Sequence, residues 1–320
     1  MLLSSDIAEL TDPTRESHER STLAAEMLAA VGRHLVRGSG ETQNSANRLQ
    51  DAMVYSMSLA GKRARGLLLL LVTDSFGKPW QDVLDCAAAI ELVHTASLII
   101  DDLPAMDDAH TRRGNPTNHR AFGEPTAVLA AIALLNDAYS RIAGSCALSF
   151  EQRNSAIIAL SAAVGPDGMT GGQQRDLFPS GQDLTDVELT HAMKTGALFA
   201  AAAEIGCIAA GGEDCFQRKM HDFGMLLGKA FQEFDDLIDR HGAVADAGKD
   251  IQKDTDKITF VRLLGRDEAE SRALGQVQTA LECLKSLPVK DAELRGYALD
   301  LTRAMRAKFI AETPTIVAPR

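Results

Sequence analysis

Aromatic residues are scarce in this sequence, at 5% of its 320 residues, although hydrophobic residues as a whole make up 45%. The apolar content is therefore mostly alanine and leucine, which have the best helix propensities. The alternation of apolar and polar side chains that marks a half-buried strand is also missing over any strand-length stretch. These absences predict an all-α fold with few or no strands.

Paired cysteines and membrane-length apolar segments are missing as well. The five cysteines stand singly, without a CxxC pair. Because this usage is typical of a reducing compartment, we expect a cytoplasmic protein. The first residues, MLLSSDIAEL, lack the basic and apolar regions of a signal peptide, and unbroken apolar runs such as 67–72 are too short to span a bilayer. We therefore expect neither a targeting segment nor a stable membrane anchor.

The chain also lacks an excess of basic residues. Its 33 Lys and Arg stand against 44 Asp and Glu, which gives a formal net charge of −11. A nucleic-acid partner is therefore not expected, since binding to a phosphate backbone depends on clustered positive charge. An acidic protein that binds a small polyanion needs local basic groups, or metal ions that bridge its carboxylates to the ligand.

No linker or change of composition divides the interior of the chain. We predict one folded domain over residues 21–312, between a flexible N-terminal arm (1–20) and a C-terminal tail (313–320). Within the domain, apolar residues recur at helical spacing, and clusters of glycine and proline interrupt them. This pattern predicts a single bundle of roughly ten or more helices.

One segment, Val83 to Ile100, is apolar nearly all round, which predicts a helix buried in the centre of the bundle. Four acids follow it within the eight residues 101–108. Buried like charges repel at high cost unless a cation lies among them. Asp101 and Asp107 would lie about 240° apart on one helix, so a shared ligand requires the helix to break between them. Pro104 is placed to break it.

A second acidic cluster, Asp235-Asp236 with Asp239, follows the apolar stretch from Phe223 to Phe234. Its spacing places Asp235 and Asp239 on one helical face. Carboxylate oxygens without histidine or cysteine suit Mg²⁺. Either cluster alone is as readily a solvated helix end as a metal site. Two clusters, each after a strongly apolar segment, favour the metal site.

Basic residues stand in short groups that would complement a diphosphate, since arginine makes bidentate phosphate contacts and lysine supplies a point charge. Each group alone is also compatible with ordinary surface charge. A lone histidine on an apolar helix, such as His94, is more often a hydrogen-bonded core residue than a ligand contact. The groups are Lys62, Arg63 and Arg65; Arg112 and Arg113; Lys194; and Lys249, Lys253 and Lys257.

Five strings of this sequence resemble the trans-prenyl diphosphate synthases, in the same order from about residue 50 to about residue 265. The bacterial geranylgeranyl diphosphate synthases of carotenoid pathways are the most similar subgroup, because their first motif also has four residues between its aspartates. The strings are GKRARGLLL (61–69), ELVHTASLIIDDLPAMDDAHTRRGNPTNH (91–119), GMTGGQQRDL (168–177), KTGALF (194–199) and AFQEFDDLIDRHGAVADAGKD (230–250).

The resemblance implies an isoprenoid synthase type I fold, in which the helices surround a deep central cavity and the protein is a homodimer. It also implies about three Mg²⁺ ions per active site, with Mn²⁺ as a substitute. The implied metal ligands are Asp101, Asp102, Asp107, Asp235 and Asp239. The implied catalytic residues are Asp101, Asp102, Asp107, Lys194, Asp235 and Asp236.

Two substrate sites are implied in the same way. The residues that resemble contacts to the allylic diphosphate are Arg112, Lys194, Thr195, Lys249 and Lys257. Those that resemble the isopentenyl diphosphate site are Lys62, Arg65, His94 and Arg113. Gln173 and Gln232 resemble polar residues of the cavity.

The implied reaction is prenyl transfer: the allylic diphosphate ionises, the isopentenyl double bond attacks the cation, and a proton is lost. Ala96 and Ser97 lie about one turn before the first cluster, where an aromatic residue stops chain growth early in this family. Because both are small, we expect geranylgeranyl diphosphate, with a farnesyl or longer product as the alternative. A class I terpene cyclase and a noncatalytic regulatory subunit are less favoured, since both aspartate clusters are intact.

Overall fold

The computed structural model describes residues 22–37, 47–59, 61–179, 181, 183–241 and 259–311. The ends predicted for the folded domain lie outside these residues. The α-helices in chain order are α1 (Thr22–Leu35), α2 (Arg48–Ser58), α3 (Ala64–Ser75), α4 (Leu84–Asp101), α5 (Asn118–Phe122), α6 (Glu124–Gly144), α7 (Phe150–Val164), α8 (Met169–Leu177), α9 (Leu184–His191), α10 (Ala197–Ala210), α11 (Asp214–His241), α12 (Phe260–Leu264), α13 (Arg266–Leu284) and α14 (Ala292–Ala311).

The prediction of an all-α fold is confirmed. A 3₁₀ turn (Trp80–Val83) leads into α4, and a π-helical segment (Ala192–Gly196) joins α9 to α10. The strand content of the described residues is one antiparallel pair of two-residue strands, β1 (Thr111–Arg112) and β2 (Asn115–Pro116). This pair interrupts the bundle directly after the first aspartate cluster, and it places Arg112 on a strand and Arg113 in the turn between the strands.

Helix boundaries fall where the sequence places glycine, proline and capping residues. Gly123, at φ 85°, separates α5 from α6, and α6 has a proline in its first turn. Helix α7 begins with a capping box: Gln152 N–H donates to the Ser149 hydroxyl, and the Gln152 side chain accepts from the Ser149 N–H. Such caps satisfy N–H groups that have no partner within a helix, so local sequence fixes where these helices start.

Helix α4 is the buried central helix that the sequence predicts. Ala89, Ile90 and Leu92 have no exposed surface, and the helix packs against α1, α3 and α6. Its neighbour α3 carries the run of five leucines, which is also buried. The two helices therefore form the middle of the core. The acids at the C-terminal end of α4 consequently lie next to apolar residues.

Small residues bring α3, α10 and α11 close together. A Cβ added at Gly206 of α10 would lie 2.6 Å from the Leu69 carbonyl oxygen in α3. A Cβ added at Gly224 of α11 would lie 2.4 Å from the Phe199 carbonyl oxygen in α10. Both distances are too short for any side chain, so glycine permits the backbone contact. This close packing fixes α11, which carries the second aspartate cluster, against the core.

Candidate active site

The first aspartate cluster lies where α4 ends and the chain folds back on itself. Helix α4 ends at Asp101, and Asp102 is its C-cap. The Asp107 N–H then donates to the Asp101 carbonyl oxygen at 2.9 Å, and the Ala109 N–H donates to the Asp102 carbonyl oxygen at 3.2 Å. The loop thus satisfies carbonyls at the helix end and returns Asp107 to Asp101.

The predicted break between Asp101 and Asp107 is confirmed, but it does not occur at Pro104 itself. The helix ends three residues earlier. Proline disfavours the helical conformation at the residue before it, Leu103, and it offers no N–H to continue the helix. The loop N–H groups that turn back therefore take over the carbonyls that helical hydrogen bonds would have used.

The second aspartate cluster lies in the last turns of α11. The Gln232 side-chain amide donates to Asp236 Oδ1 at 3.0 Å, and the Thr195 hydroxyl donates to Gln232 Oε1 at 2.7 Å. His191 Nε2 lies 3.2 Å from Asp236 Oδ2. Asp235 is near enough to Arg65 to raise its pKa against the larger, opposite effect of burial. The cluster is therefore connected both to the Lys194-Thr195 segment and to the basic residues of α3.

Lys194 and Thr195 lie on the π-helical segment between α9 and α10. A Cβ added at Gly172 of α8 would lie 2.3 Å from the Lys194 backbone nitrogen, and one added at Gly228 of α11 would lie 2.7 Å from Gly196 Cα. The close approach of α8 and α11 therefore fixes the backbone of this segment. A π-helical insertion is frequent at functional sites because it redirects side chains locally.

The Lys194 side chain reaches towards the first aspartate cluster. Its Nζ donates to Asp176 Oδ2 at 2.6 Å. Burial raises the pKa of Asp101 to about 6, Lys194 opposes this rise, and Asp107 and Asp102 add to it. The three acids thus form an electrostatically coupled group with Lys194 beside it.

Arg112 and Asp102 form a bidentate pair. Arg112 Nε lies 2.8 and 2.9 Å from the two carboxylate oxygens of Asp102, and Nη2 lies 2.7 Å from Oδ1. Asp102 is 3% exposed. Burial raises its pKa, and Arg112 opposes that rise. Both oxygens are therefore committed to Arg112 in this state, and Asp102 can bind a metal ion only if Arg112 releases or shares them.

Three residues other than glycine have a positive φ among the described residues, and all border this site: Arg63 at 45°, Asp108 at 46° and Arg113 at 55°. Arg113 and Gly114, at 76°, form the two-residue turn between β1 and β2, and a type I′ turn requires positive φ at both positions. Such conformations cost energy and cluster at functional sites.

Two of the predicted isopentenyl diphosphate residues, Arg65 and Arg113, lie near a third, His94. Burial lowers the pKa of His94 well below its ordinary 6.5, and Arg65, Arg113, Arg112 and Arg63 lower it further. His94 therefore contributes a neutral imidazole to an arginine cluster, and this setting favours the ligand-contact reading over an isolated core histidine. A small cleft at this place is lined by Arg63, His94, Asp102, Arg112, Arg113 and Asn118, among others.

Lys62 and Arg65 are held by a pair of aromatic rings. The Arg65 guanidinium lies 4.5 Å from the Phe199 ring centroid, and Lys62 Nζ lies 5.4 Å from that of Phe231. The two rings are 5.6 Å apart. Lys62 also approaches the Met305 sulfur in α14, at 3.1 Å. Both cations therefore flank one aromatic pair.

The remaining predicted residues are placed as follows. Ala96 is 6% exposed, and the Ser97 hydroxyl donates to the His94 carbonyl oxygen at 2.9 Å. Both polar atoms of the Gln173 side chain are buried without a hydrogen-bond partner in the described part of the chain. Asp239 is exposed on the last turns of α11. Lys249, Lys253 and Lys257 lie outside the described residues.

The carboxylates fit Mg²⁺ only as part of a shared coordination sphere. Among the described residues, no three His, Cys, Asp or Glu side chains come together as a group that could hold a metal ion. Mg²⁺ is usually bound through one or two carboxylates, with substrate phosphate and water as its other ligands. The coupled Asp101, Asp102 and Asp107 supply oxygen donors and an excess of buried negative charge, as that mode requires.

Sequence reasoning missed three residues of the site: Glu91, Asp176 and His191. Asp176 pairs with Lys194, His191 with Asp236, and Glu91 with Arg63 at 3.8 Å. Asp176 and Glu91 lie inside the strings that carry the family resemblance, so the strings could have marked them as candidates. No residue spacing identifies their partners.

The model of the polyprenyl synthetase family matches residues 46–290. The chain belongs to this family. It is 39% identical over 258 residues to a geranylgeranyl diphosphate synthase of Pseudescherichia vulneris, across 79% of this chain and 83% of the relative. It is 36% identical to a farnesyl diphosphate synthase of Geobacillus stearothermophilus, across 86% and 93%.

A solved structure of a Helicobacter pylori geranyltransferase, complexed with magnesium and isoprenyl diphosphate, has the same fold. Its TM-score to this chain is 0.76 at 27% sequence identity, and the match covers 93% of this chain and 99% of that one. The fold predicted from the family resemblance, a helical bundle of the isoprenoid synthase type, is therefore confirmed.

The raised pKa of Asp101 predicts a pH-dependent stability difference between the wild type and Asp101→Asn without metal. The folded-state pKa, about 6, lies above the ordinary 3.8, so ionisation destabilises the folded state as the pH rises through this range. Above pH 6 we expect Asp101→Asn to be more stable by up to roughly 3 kcal/mol, and near pH 4 the difference should vanish. Urea unfolding in EDTA between pH 4 and pH 8 measures it.

The matched control is Asp82→Asn, because Asp82 is exposed on the 3₁₀ turn before α4. Its stability difference from the wild type should not follow this pH profile. The proposed effect of burial on the Asp101 carboxylate would be wrong if the two proteins had equal free energies of unfolding at pH 8. It would also be wrong if the difference in these free energies increased towards pH 4.

Proposed function

We propose that this chain is a prenyltransferase that condenses isopentenyl diphosphate with allylic diphosphates, and that its main product is geranylgeranyl diphosphate. The observation that carries this proposal is the position of the Lys194-Thr195 segment. Lys194 acts on the first aspartate cluster, and Thr195 is joined through Gln232 to the second. One diphosphate that is bound between the two aspartate clusters would therefore lie close to both Lys194 and Thr195. The named relatives and the magnesium-bound structure support the same reading.

The two halves of the site suit two different diphosphates. On one side, carboxylates stand beside Lys194 and Arg112, an arrangement that binds an anion through bridging cations. Mg²⁺, when bound there, would stabilise the negative charge that develops on the leaving diphosphate. On the other side, Arg65 and Arg113 form a cationic cluster around the neutral His94. That half can bind a diphosphate without a metal ion. We propose about three Mg²⁺ ions per site, with Mn²⁺ as a substitute.

The described state has Lys194 and Arg112 bound to carboxylates of the protein. Lys194 pairs with Asp176, and Arg112 pairs with Asp102. An incoming diphosphate carries more negative charge and more acceptor oxygens than one carboxylate, so both cations can turn from their carboxylates to the ligand. The same movement frees the oxygens of Asp102. In this way substrate binding and completion of the metal ligand set would be coupled.

The wall beyond the first cluster favours a long product. Ser97 lies one helical turn before Asp101 and is partly exposed, and Ala96 beside it is small. Neither side chain would stop a growing isoprenoid tail near the metal site. The relatives include both geranylgeranyl and farnesyl diphosphate synthases, so a farnesyl product is the second candidate.

The test of the function is incubation of the purified protein with labelled isopentenyl diphosphate and each allylic starter. The starters are dimethylallyl, geranyl and farnesyl diphosphate, each with and without Mg²⁺. We expect Mg²⁺-dependent elongation to geranylgeranyl diphosphate. Chromatography of the labelled products measures it. Absence of any Mg²⁺-dependent elongation would refute the enzyme proposal. Elongation that stops at farnesyl diphosphate would refute only the product assignment.

Substitution of Ser97 tests how chain length is set. In Ser97→Phe, the ring would fill the space one turn beyond Asp101, so we expect the main product to shorten from geranylgeranyl to farnesyl diphosphate. Ser97→Ala is the matched control and should leave the product unchanged. Chromatography of the labelled products measures both. If Ser97→Phe still makes geranylgeranyl diphosphate, the tail does not pass this position.

We also propose that the protein is a homodimer that pairs through α6. Val128, Leu129 and Ile132 lie on one face of this helix and are 36%, 55% and 58% exposed. Large apolar side chains that cluster on one exposed helical face are typical of an interface. The same helix packs on α4, so a partner at this face would support the helix that carries the first aspartate cluster.

The variant Ile132→Glu tests this interface. A charge at its centre would be buried without a partner, so we expect the dimer to dissociate at least tenfold more readily. Sedimentation equilibrium over a range of protein concentrations measures it. The matched control is Leu263→Glu. Leu263 is likewise an exposed aliphatic residue, at 39%, but it lies on α12. A wild type that is monomeric throughout, or equal dimer stability in Ile132→Glu, would refute the assignment.

We propose a cytoplasmic location as well. All five cysteines are free in the structure, in keeping with a reducing compartment. Two helical segments, Trp80–Asp101 and Leu184–Ala210, are long and apolar enough to cross a membrane. However, 67% and 78% of their most apolar windows are buried inside the bundle, where core helices have the same length and composition.

A further inference from the structure

Glu91 is a buried acid that the proposed mechanism does not use. Glu91 lies in the middle of α4, one turn before His94, and is 1% exposed. A carboxylate in such a place is costly unless hydrogen bonds and opposite charges compensate it. Its Oε1 accepts the Gly66 N–H at 2.8 Å, and its Oε2 lies 3.8 Å from Arg63 Nη1. Both partners belong to the chain at the start of α3.

The contact with Gly66 fixes the beginning of α3. The N–H groups in the first turn of a helix have no partner within the helix. Arg63, the N-cap of α3, provides no side-chain cap, so Glu91 takes this role from a neighbouring helix. A Cβ added at Gly66 would lie 3.0 Å from Glu91 Cγ, so glycine at this position gives the carboxylate room. The helix start that Glu91 holds also carries Arg65.

Glu91 is the carboxylate beside Arg63 in a cluster of arginines, in which Asp102 pairs with Arg112. Arg63 also donates to the Met57 and Leu59 carbonyl oxygens, and Arg113 donates to the Leu59 carbonyl oxygen at 3.4 Å. Burial lowers the pKa of Arg113, Arg63 and Arg112 lower it further, and Glu91 and then Asp102 oppose them. Without a counter-charge, these guanidinium groups would repel one another and move apart in the absence of an anionic ligand.

We propose that Glu91 is a positioning residue for the metal-free diphosphate site: it fixes Arg63 and the start of α3, and through them holds Arg65 and Arg113 around His94. Glu91 does not contact the ligand. This inference rests on the proposed function, since it takes the ligand of that site to be the diphosphate group of isopentenyl diphosphate. The contribution of Glu91 is the preformed geometry of the cationic cluster.

A positioning role and a passive role of Glu91 predict opposite effects of its removal on binding of the anionic ligand. Removal of a negative charge near an anion site, with no change of geometry, would strengthen binding of the anion. If Glu91 holds the arginines in place, its removal weakens binding although the site becomes more positive. The sign of the change therefore separates the two roles.

The central variant is Glu91→Gln, whose amide oxygen can still accept the Gly66 N–H while the charge is lost. We expect the KM for isopentenyl diphosphate to rise about tenfold or more, and the KM for the allylic substrate to stay within about twofold. Calorimetric titration with isopentenyl diphosphate alone should show the same weakening without turnover. The matched control is Glu204→Gln, because Glu204 is a helical carboxylate that pairs with His221 at 3.0 Å between α10 and α11.

A second variant keeps the test informative if Glu91→Gln does not fold. Gly66→Ala disturbs the seat of the Glu91 carboxylate, because the added Cβ would lie 3.0 Å from Glu91 Cγ, and it changes no charge in the site. It should raise the KM for isopentenyl diphosphate in the same selective way. An unchanged or lower KM for isopentenyl diphosphate in these variants, or an equal rise for both substrates, would overturn the positioning role. A wild type that neither binds nor elongates isopentenyl diphosphate would instead overturn the proposed function.

Discussion

The site depends on negative charge placed at the end of an apolar helix. Asp101 and Asp102 follow a helix whose middle is fully buried, so desolvation raises the pKa of both carboxyl groups. If α4 continued through this loop, Asp107 would lie far around the helix from Asp101. The return of the loop through the N–H of Asp107 is thus what brings Asp107 back to Asp101.

Strain in the backbone supports the same arrangement. Arg63, Asp108 and Arg113 adopt positive φ, which costs a residue with a side chain more than it costs glycine. Two of the three are arginines of the cationic cluster. Their side chains are tied to carbonyl oxygens at the end of α2, so several hydrogen bonds compensate for the unfavourable backbone. The packed core around α3 and α4 supplies the rigidity that holds such conformations in place.

Much of the fold could be predicted from the sequence, because its signals are local. The apolar segment 83–100, the glycine and proline clusters, and the helical spacing of Asp235 and Asp239 all determine structure within a few residues. The ion pairs, and the hydrogen bond between Gly66 and Glu91, could not be predicted. Arg112 and Asp102 are 10 residues apart, Lys194 and Asp176 are 18 apart, and Gly66 and Glu91 are 25 apart. Which acid meets which base depends on how whole helices pack.

Those pairs suggest a common physical logic for the two halves of the site. Three cations of the site each have a carboxylate of the protein as a partner: Lys194 has Asp176, Arg112 has Asp102, and Arg63 has Glu91. A cation that is already desolvated and paired loses little hydration when an anionic ligand replaces its partner. The halves differ in where the carboxylate goes. Asp102 would be released towards metal ions, whereas Glu91 is enclosed by α3 and α4 and stays, so only the first half can couple ligand binding to metal binding.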